Sequence, residues 1–221
     1  MNYEQAVQKL EKYDQMQILK FYDELNDDQK AFLIDEIDKT DFNNIRQSQI
    51  ISAQDHIEPM GMMKRPEIES KREHYLNKGL EYIRAGKCAA LMLAGGQGTR
   101  LGLDGPKGTL NVGLTRELYI FQCQINNLMD VVKEAGVWIP LFIMTSDKND
   151  SATRAFFEEK NYFGYDKDHI WFFVQEMAPA TDLNGKVLLE AKDHIALSPN
   201  GNGGWYKSLR NAGYEKTLEE L

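Results

Sequence analysis

Three short apolar runs in the second half of the chain constrain its fold more than any other feature. These runs are Cys88–Ala94, Ile139–Thr145 and Ile170–Val174. Apolar runs of this length, without polar alternation, are typical of strands that are buried on both faces of a sheet. The intervening sequence predicts one helix from about Arg116 to Ala135 and a second that Asp147 or Asn149 would cap. Strands that alternate with helices predict a parallel sheet with helices on its faces.

The first 86 residues contain no convincing strand and predict a helical region. From Tyr3 to Leu25, apolar residues recur at spacings of mostly three and four, which is typical of helix. Asn26 is a candidate cap for a following helix, which would bury Phe32, Leu33 and Ile37.

Several further segments complete the predicted organisation. Asp41 to Ile50 predicts a short third helix, and Ser52 to Pro66 predicts a surface connection because it contains proline and glycine. Glu67 to Ala85 predicts a helix that Gly86 ends, and Leu183 to Lys186 predicts a tight turn between antiparallel strands. We therefore expect a helical region over residues 1–86 and an α/β domain over residues 87–221.

The amino-acid composition limits the binding partners and the cellular location that we expect. The formal net charge of -8 argues against nucleic acid, because proteins that bind it usually present a basic face. No segment approaches the roughly 18 apolar residues that a membrane span needs. Cys88 and Cys123 lie in apolar stretches without metal-ligand spacing, which predicts free thiols and a reducing compartment. With no recognisable secretory signal, we expect a cytoplasmic protein.

A glycine-rich segment follows the first apolar run and contains the candidate chemistry. It runs from Leu93 to Gly102 as Leu-Ala-Gly-Gly-Gln-Gly-Thr-Arg-Leu-Gly and continues to Pro106, Lys107 and Gly108. In open α/β sheets, ligands bind beyond the carboxyl ends of the strands, where glycines let the backbone approach closely. Backbone N–H groups can then contact phosphate oxygens, and Arg100 and Lys107 can neutralise a triphosphate.

Two well-known phosphate-binding motifs do not fit this segment. The dinucleotide pattern Gly-x-Gly-x-x-Gly fails because Gly102 comes one residue late after Gly96 and Gly98. A P-loop requires Ser or Thr after Gly-Lys, whereas Gly108 follows Lys107. A plain tight turn after the strand stays open as the alternative to a phosphate-binding loop.

The segment resembles the loop of the sugar nucleotidyltransferases, in which a glycine-rich stretch leads through an arginine to a Pro-Lys pair. Its amino-acid sequence is similar to that of the same loop in the UDP-N-acetylglucosamine pyrophosphorylases and the related UDP-sugar pyrophosphorylases. Further matches are a core strand at Ile143–Ser146, a Gln-Glu-Met-Ala-Pro-Ala segment that begins at Gln175, and a Pro-x-Gly-Asn-Gly-Gly loop at Pro199–Gly204. With a helical match at Leu19–Leu25, the resemblance covers nearly the whole chain.

The resemblance implies a Rossmann-like nucleotidyltransferase fold and a reaction of UTP with a sugar 1-phosphate that yields a UDP-sugar and pyrophosphate. N-acetylglucosamine 1-phosphate is the implied sugar phosphate. Glucose or galactose 1-phosphate stays open as an alternative, as does a non-catalytic module that binds uridine nucleotide without turnover. Mg²⁺ would bridge phosphate oxygens.

The resemblance also implies the role of individual residues. Arg100 would hold the departing pyrophosphate and Lys107 would steady the phosphate chain. Gln175 and Gly201 would read the uracil, for which the Gln175 amide offers both a donor and an acceptor. Asn202 would face the sugar. The implied nucleotide-binding residues are Leu93, Gly95, Gly96, Gly98, Thr99, Gln175 and Gly201.

Some features that the resemblance implies have no match in the sequence. Relatives have a strand ending in Val-Asp-Asn soon after the Gly-Asn-Gly-Gly loop, and its aspartate helps hold the metal. No such strand, and no later phosphate-binding lysine, precedes Leu221. We therefore expect a truncated domain with weak or no turnover on its own. We also expect it to oligomerise through an unpaired sheet edge and an uncovered apolar face.

Overall fold

The computed structural model describes residues 1–43, 45 and 58–220, which form two compact units. We call them the helical unit, Met1–Pro59 with Met177–Asn200, and the sheet unit, Met60–Glu176 with Gly201–Leu221. This division differs from the boundary that we predicted at residue 87. Helices that follow Met60 pack beside the sheet, and the segment from 177 to 200 packs with the N-terminal helices.

The described elements are as follows, in chain order. The helices are α1 (Tyr3–Lys12), α2 (Asp27–Lys39), α3 (Arg65–Ser70), α4 (Arg72–Arg84), α5 (Ile120–Ala135), α6 (Asp150–Glu159), α7 (Trp205–Asn211) and α8 (Glu215–Glu219). The strands are β1 (Ala90–Leu93), β2 (Leu141–Thr145), β3 (Ile170–Val174), β4 (Met177–Pro179), β5 (Leu189–Ala191), β6 (His194–Ile195) and β7 (Leu197–Pro199).

A three-stranded parallel sheet, in the order β1-β2-β3, is the centre of the sheet unit. This confirms the predicted parallel sheet with flanking helices. Leu141 and Ile143 of β2 pack towards α5 and α6, whereas Phe142 and Met144 pack towards α7 and α8. Side chains alternate between the faces of a strand, so an apolar run is buried on both sides when helices cover both faces.

Burial of β1 differs from the prediction. Ala90 and Met92 pack against the cluster that includes α5, but Leu91 and Leu93 remain 37% and 43% exposed. On this second face, the described residues of α7 and α8 cover β2 and β3 only. The prediction that the first apolar run is buried on both faces is therefore wrong within the described chain. Oligomerisation through such a face stays a prediction.

Helix α5 begins later than the predicted start at Arg116. The residues before it form a narrow loop that an isolated antiparallel bridge between Asn111 and Tyr119 closes. The Asn111 side chain holds this loop by accepting hydrogen bonds from the N–H groups of Gly113 and Leu118. Helix α5 ends at Gly136, as predicted, in a left-handed conformation with φ of 77°.

The helical unit contains α1 and α2, whose N-caps both match a capping box. Asn26 caps α2 as predicted, and Gln29 completes the reciprocal pair of hydrogen bonds. Leu33 and Ile37 are buried, but Phe32 is 44% exposed and stacks on the ring of His194. The prediction for Phe32 is wrong because Leu33, Ile34 and Ile37 already form the core-facing stripe.

Other N-terminal predictions hold in part. Helix α1 ends at Lys12, and short 3₁₀ turns, rather than one helix, continue to Leu25 after Asp14 takes a φ of 55°. The predicted helix from Glu67 to Ala85 is interrupted at Lys71, between α3 and α4. Most of the predicted Asp41–Ile50 helix, and residues 52–57 of the predicted connection, lie outside the described residues.

A buried glutamine joins the N-terminal helices to the predicted turn at Leu183–Lys186. Gln15 is 4% exposed, and its Nε2 donates to the Gly185 carbonyl at 2.9 Å. Its Oε1 accepts from the Val187 N–H, also at 2.9 Å. Gly185 has a φ of 76°, as a tight turn requires. One side chain thus satisfies two backbone groups that would otherwise be buried without partners.

The Gln15→Ala substitution should lower the free energy of unfolding by about 1–3 kcal/mol, because it leaves a buried N–H and a carbonyl unsatisfied. Urea denaturation would measure this loss. Gln8→Ala is the matched control, since Gln8 is exposed on α1 and should change stability by less than about 0.5 kcal/mol. Equal effects of the two substitutions would contradict the role of Gln15.

Candidate functional site

The carboxyl ends of the three parallel strands lie at one edge of the sheet and bring distant residues together. The strand ladder continues past β1 and β3, since Ala94 N–H donates to the Met144 carbonyl at 2.7 Å and Gln175 N–H donates to the Thr145 carbonyl at 2.9 Å. Gly95 consequently meets the Gln175 side chain. A Cβ atom on Gly95 would lie 2.7 Å from Gln175 Nε2, so this approach requires glycine.

Gln175 is buried at this edge, with 7% of its surface exposed. In the described chain, no protein group forms a hydrogen bond with its side-chain amide. Its amide atoms are not among the fully buried polar atoms without partners, which in the described chain are Ser146 Oγ and Thr153 Oγ1, so the amide can bond to water or a ligand. The structure thus places the Gln175 amide beside the glycine-rich loop without a protein partner among the described residues, and its role towards a base stays a prediction.

The glycine-rich loop folds back on itself through its own backbone. Gly98 N–H donates to the Gly105 carbonyl at 2.8 Å, and Lys107 N–H donates to the Gly96 carbonyl at 3.1 Å. These bonds form an antiparallel bridge between Gln97 and Pro106. The bridge brings Lys107 beside the first glycines, which sequence spacing alone does not show.

The predicted part of Gly98 in binding has to be revised. Its N–H group is already paired with Gly105, so it is not available to a ligand in this structure. Glycine is required for a different reason, because a Cβ atom here would lie 2.6 Å from the Cβ of Leu103. Gly98 therefore shapes the loop instead of supplying a hydrogen-bond donor.

Other N–H groups of the loop are available. Within the described residues, the backbone N–H groups of Gly95, Gly96, Gln97, Thr99 and Arg100 have no protein acceptor. Those of Thr99 and Arg100 begin a 3₁₀ turn, whose first N–H groups have no partner inside the turn. Successive unpaired N–H groups attract anions. The loop therefore has the donors of a phosphate-binding segment.

Arg100 and Lys107 supply positive charge to the same loop. Both side chains are exposed, and neither has a carboxylate partner in the described part of the chain. The arginine of α6 provides a contrast, since Arg154 Nε pairs with Asp150 at 2.7 Å. Lys107 also lines a cavity of about 220 Å³ together with Leu93 and Gly96. Two unpaired cations beside unpaired N–H groups can hold an anion on an acidic protein.

The Gly-Asn-Gly-Gly loop is attached to the end of β3. Gly201 has a φ of 78°, and Asn202 opens a 3₁₀ turn that leads into α7. Ser208 Oγ accepts from the N–H of Glu176 at 2.9 Å and donates to the Gly204 carbonyl at 3.1 Å. Glu176 directly follows Gln175, so this hydroxyl ties the turn to the strand that presents Gln175. Asn202 itself is exposed.

Sequence reasoning missed two residues of this site. The Gln97 N–H is one of the unpaired donors, but the residue type does not show whether a backbone N–H group is paired. Asn149, which we predicted only as a helix cap, directs its amide at the carbonyls of Ala94 and Gly96. Its position just after a strand end was the available signal, because ligand sites in such sheets lie there.

Within the described residues, no group of three or more His, Cys, Asp or Glu side chains is arranged to hold a metal ion. No helix among them has the length and apolar character that crossing a membrane requires.

Comparisons with known proteins identify one family. The family model described as UTP–glucose-1-phosphate uridylyltransferase matches residues 20–221. UDP-N-acetylglucosamine pyrophosphorylase of Saccharomyces cerevisiae is 45% identical over 146 residues, which cover 64% of this chain and 31% of that protein. UDP-N-acetylglucosamine diphosphorylase 1 of Arabidopsis thaliana is 35% identical over 226 residues, which cover 92% and 44%.

A solved structure agrees with these relatives. The uridine diphosphate N-acetylglucosamine pyrophosphorylase of Trypanosoma brucei, determined with an inhibitor, superposes with a TM-score of 0.72 at 29% identity. The match covers 93% of this chain and 44% of that one. The chain thus spans less than half the length of these relatives.

The Gly95→Ala substitution should displace the Gln175 side-chain amide, because the added methyl group would overlap its nitrogen. The side-chain amide resonances of Gln175 in a ¹⁵N-correlated NMR spectrum would report the displacement. Gly96→Ala is the matched control, since a Cβ atom at that position meets no atom within 4 Å. Unchanged Gln175 resonances in Gly95→Ala would show that the two residues are not in contact.

Proposed function

The chain belongs to the UTP–glucose-1-phosphate uridylyltransferase family, and we propose that its protein transfers the uridylyl group of UTP to N-acetylglucosamine 1-phosphate. The products would be UDP-N-acetylglucosamine and pyrophosphate. The close approach of Gly95 to the unpaired amide of Gln175 is the main observation that supports this proposal. The amide, which we propose reads the nucleobase, lies next to a loop that has donors and cations for phosphates.

The proposed recognition of the base follows from hydrogen-bonding chemistry. Uracil presents an N–H donor between two carbonyl acceptors. The Gln175 amide can accept from the N–H and donate to one carbonyl. Adenine also presents a neighbouring donor and acceptor that an amide can pair with, so the proposed preference for UTP over ATP rests on the resemblance and not on the Gln175 amide alone. Gly201, with its positive φ, would allow the backbone to approach the base closely.

The proposed chemistry needs positioning and charge neutralisation. A phosphate oxygen of the sugar phosphate would attack the α-phosphorus of UTP, and the bond to the bridging oxygen of pyrophosphate would break. Arg100 would stabilise the departing pyrophosphate, and Lys107 would neutralise the phosphate chain. The N–H groups of Gly95, Gly96 and Gln97 would hold the nucleotide still. No protein nucleophile takes part in this scheme.

The resemblance implies a Mg²⁺ ion, and the proposal includes it. When bound, it would neutralise phosphate oxygens. The described residues contain no cluster of three or more candidate ligand side chains, so no step is assigned through the ion.

The preference for N-acetylglucosamine 1-phosphate rests on the relatives, since the two compared above by sequence are named for this sugar. Asn202 would face the sugar, as the resemblance implies. The rate of pyrophosphate release can be measured with each of three substrates, the 1-phosphates of N-acetylglucosamine, glucose and galactose. Comparison of the three rates tests the assignment of the sugar directly. A preference for either of the other two would overturn the assignment of the sugar.

Calorimetric titration with UTP and with ATP, each with Mg²⁺, tests the nucleotide half of the proposal. The chain should prefer UTP. Arg100→Ala should weaken the binding of both nucleotides by about tenfold, because it removes a charge-assisted contact with phosphate. Gln175→Ala should weaken the binding of UTP but not of ATP, because only the contact with the base is lost. The preference for UTP over ATP should therefore become smaller.

Arg65→Ala is the matched control for loss of one positive charge, since the Arg65 side chain is 90% exposed on α3. It should leave both affinities unchanged. Equal binding of UTP and ATP by the unmodified chain would count against a uracil site. A loss of nucleotide affinity in Arg65→Ala equal to that in Arg100→Ala would show that affinity depends only on the net charge of the protein.

A further inference from the structure

We propose that Asn149 is a positioning residue that aims the N–H groups of Gly95 and Gln97 at the bound nucleotide. This inference rests on the proposed function, since it concerns how the same loop is held. Asn149 lies in the segment between β2 and α6 and does not itself face solvent, with only 1% of its surface exposed.

The Asn149 amide uses its hydrogen-bonding groups in two directions. Its Oδ1 accepts from the N–H of Ser146 at 2.9 Å, within its own segment. Its Nδ2 donates to the carbonyls of Ala94 at 3.0 Å and Gly96 at 3.3 Å, both in the glycine-rich loop. The acceptor therefore closes the turn that precedes α6, while the two donors hold a loop more than fifty residues earlier in the chain.

Peptide geometry converts these two contacts into an orientation of donors. In a trans peptide, the carbonyl of one residue and the N–H of the next point in opposite directions. No cis peptide occurs in the described chain. When the carbonyls of Ala94 and Gly96 point at Asn149, the N–H groups of Gly95 and Gln97 point away from it. Neither of these N–H groups has an acceptor in the described residues.

The Gly96 carbonyl also links Asn149 to Lys107. It accepts from the Lys107 N–H at 3.1 Å as well as from Asn149 Nδ2. One oxygen thus fixes the first part of the loop and the backbone of the phosphate-facing lysine. Loss of the Asn149 donors would loosen both at once.

Ordering of the turn before α6 is the rival explanation, and it makes a different prediction. Asn149 occupies the N-cap position of α6 but forms no side-chain capping hydrogen bond, and its oxygen pairs with Ser146 instead. Asn149→Asp would keep the acceptor for Ser146 and place a carboxylate oxygen against the two loop carbonyls. A role in the turn alone predicts that Asp restores normal behaviour, whereas positioning predicts that it fails as Ala does.

UTP titration of Asn149→Asp and Asn149→Ala tests the proposal, with Val132→Ala as the matched control. Val132 is buried on α5 and does not line the cavity that Gly96 and Lys107 share, so its truncation should lower stability and leave the loop donors in place. We expect Kd to rise about tenfold in both Asn149 variants and to stay within about twofold in Val132→Ala. Wild-type affinity in Asn149→Asp would overturn the proposal, as would an equal rise in Val132→Ala.

Hydrogen exchange of the free chain gives a measurement that needs no nucleotide. Amides in peptides covering residues 94–108 should exchange faster in both Asn149 variants, whereas amides of α2 in the helical unit should not change. If the unmodified chain fails to bind UTP, the proposed function fails, and exchange still decides whether Asn149 holds the loop. Unchanged exchange over 94–108 would reject the positioning role even if UTP binds normally.

Discussion

The parallel pairing of β1, β2 and β3 is the constraint on which the candidate site depends. Parallel strands end at the same edge, so residues that follow different strands become neighbours although about eighty positions separate Gly95 from Gln175. Burial of β2 on both faces stabilises this pairing, because its apolar side chains are removed from water while its backbone bonds to β1 and β3. The helices on each face therefore stabilise the site as well as the core.

An acidic chain can hold a polyanion because recognition is local. The net charge of -8 describes the whole sequence, whereas a ligand at the sheet edge would meet unpaired N–H groups and two unpaired cations. Backbone dipoles that are already oriented attract an anion without a large cost of reordering. The same arrangement explains the glycines at positions 95 and 98, since side chains at Gly95 and Gly98 would collide with their neighbours.

Sequence reasoning succeeded where the signal is local. The third strand, Ile170–Val174, matches its prediction from end to end, and the Asn26 cap and Gly136 terminus were found from residue type alone. It failed where burial depends on neighbours from elsewhere in the chain. Leu91 and Leu93 looked like core residues, but a strand face is buried only if another element covers it. Phe32 was misassigned because the choice among adjacent apolar residues depends on the orientation of the helix.

The sequence was sufficient to identify the family, the approximate positions of the three parallel strands and the residue types of the loop, because short apolar runs and a long glycine motif need no distant partner to be recognised. The folded structure was needed to show that Gly95 contacts Gln175, that the Gly98 N–H is already paired, and that Asn149 binds the loop carbonyls. It also decided that the segment 177–200 belongs with the N-terminal helices. Each of these facts is a contact between residues far apart in the chain or a choice among backbone hydrogen bonds, and neither is encoded in the identity of a single residue.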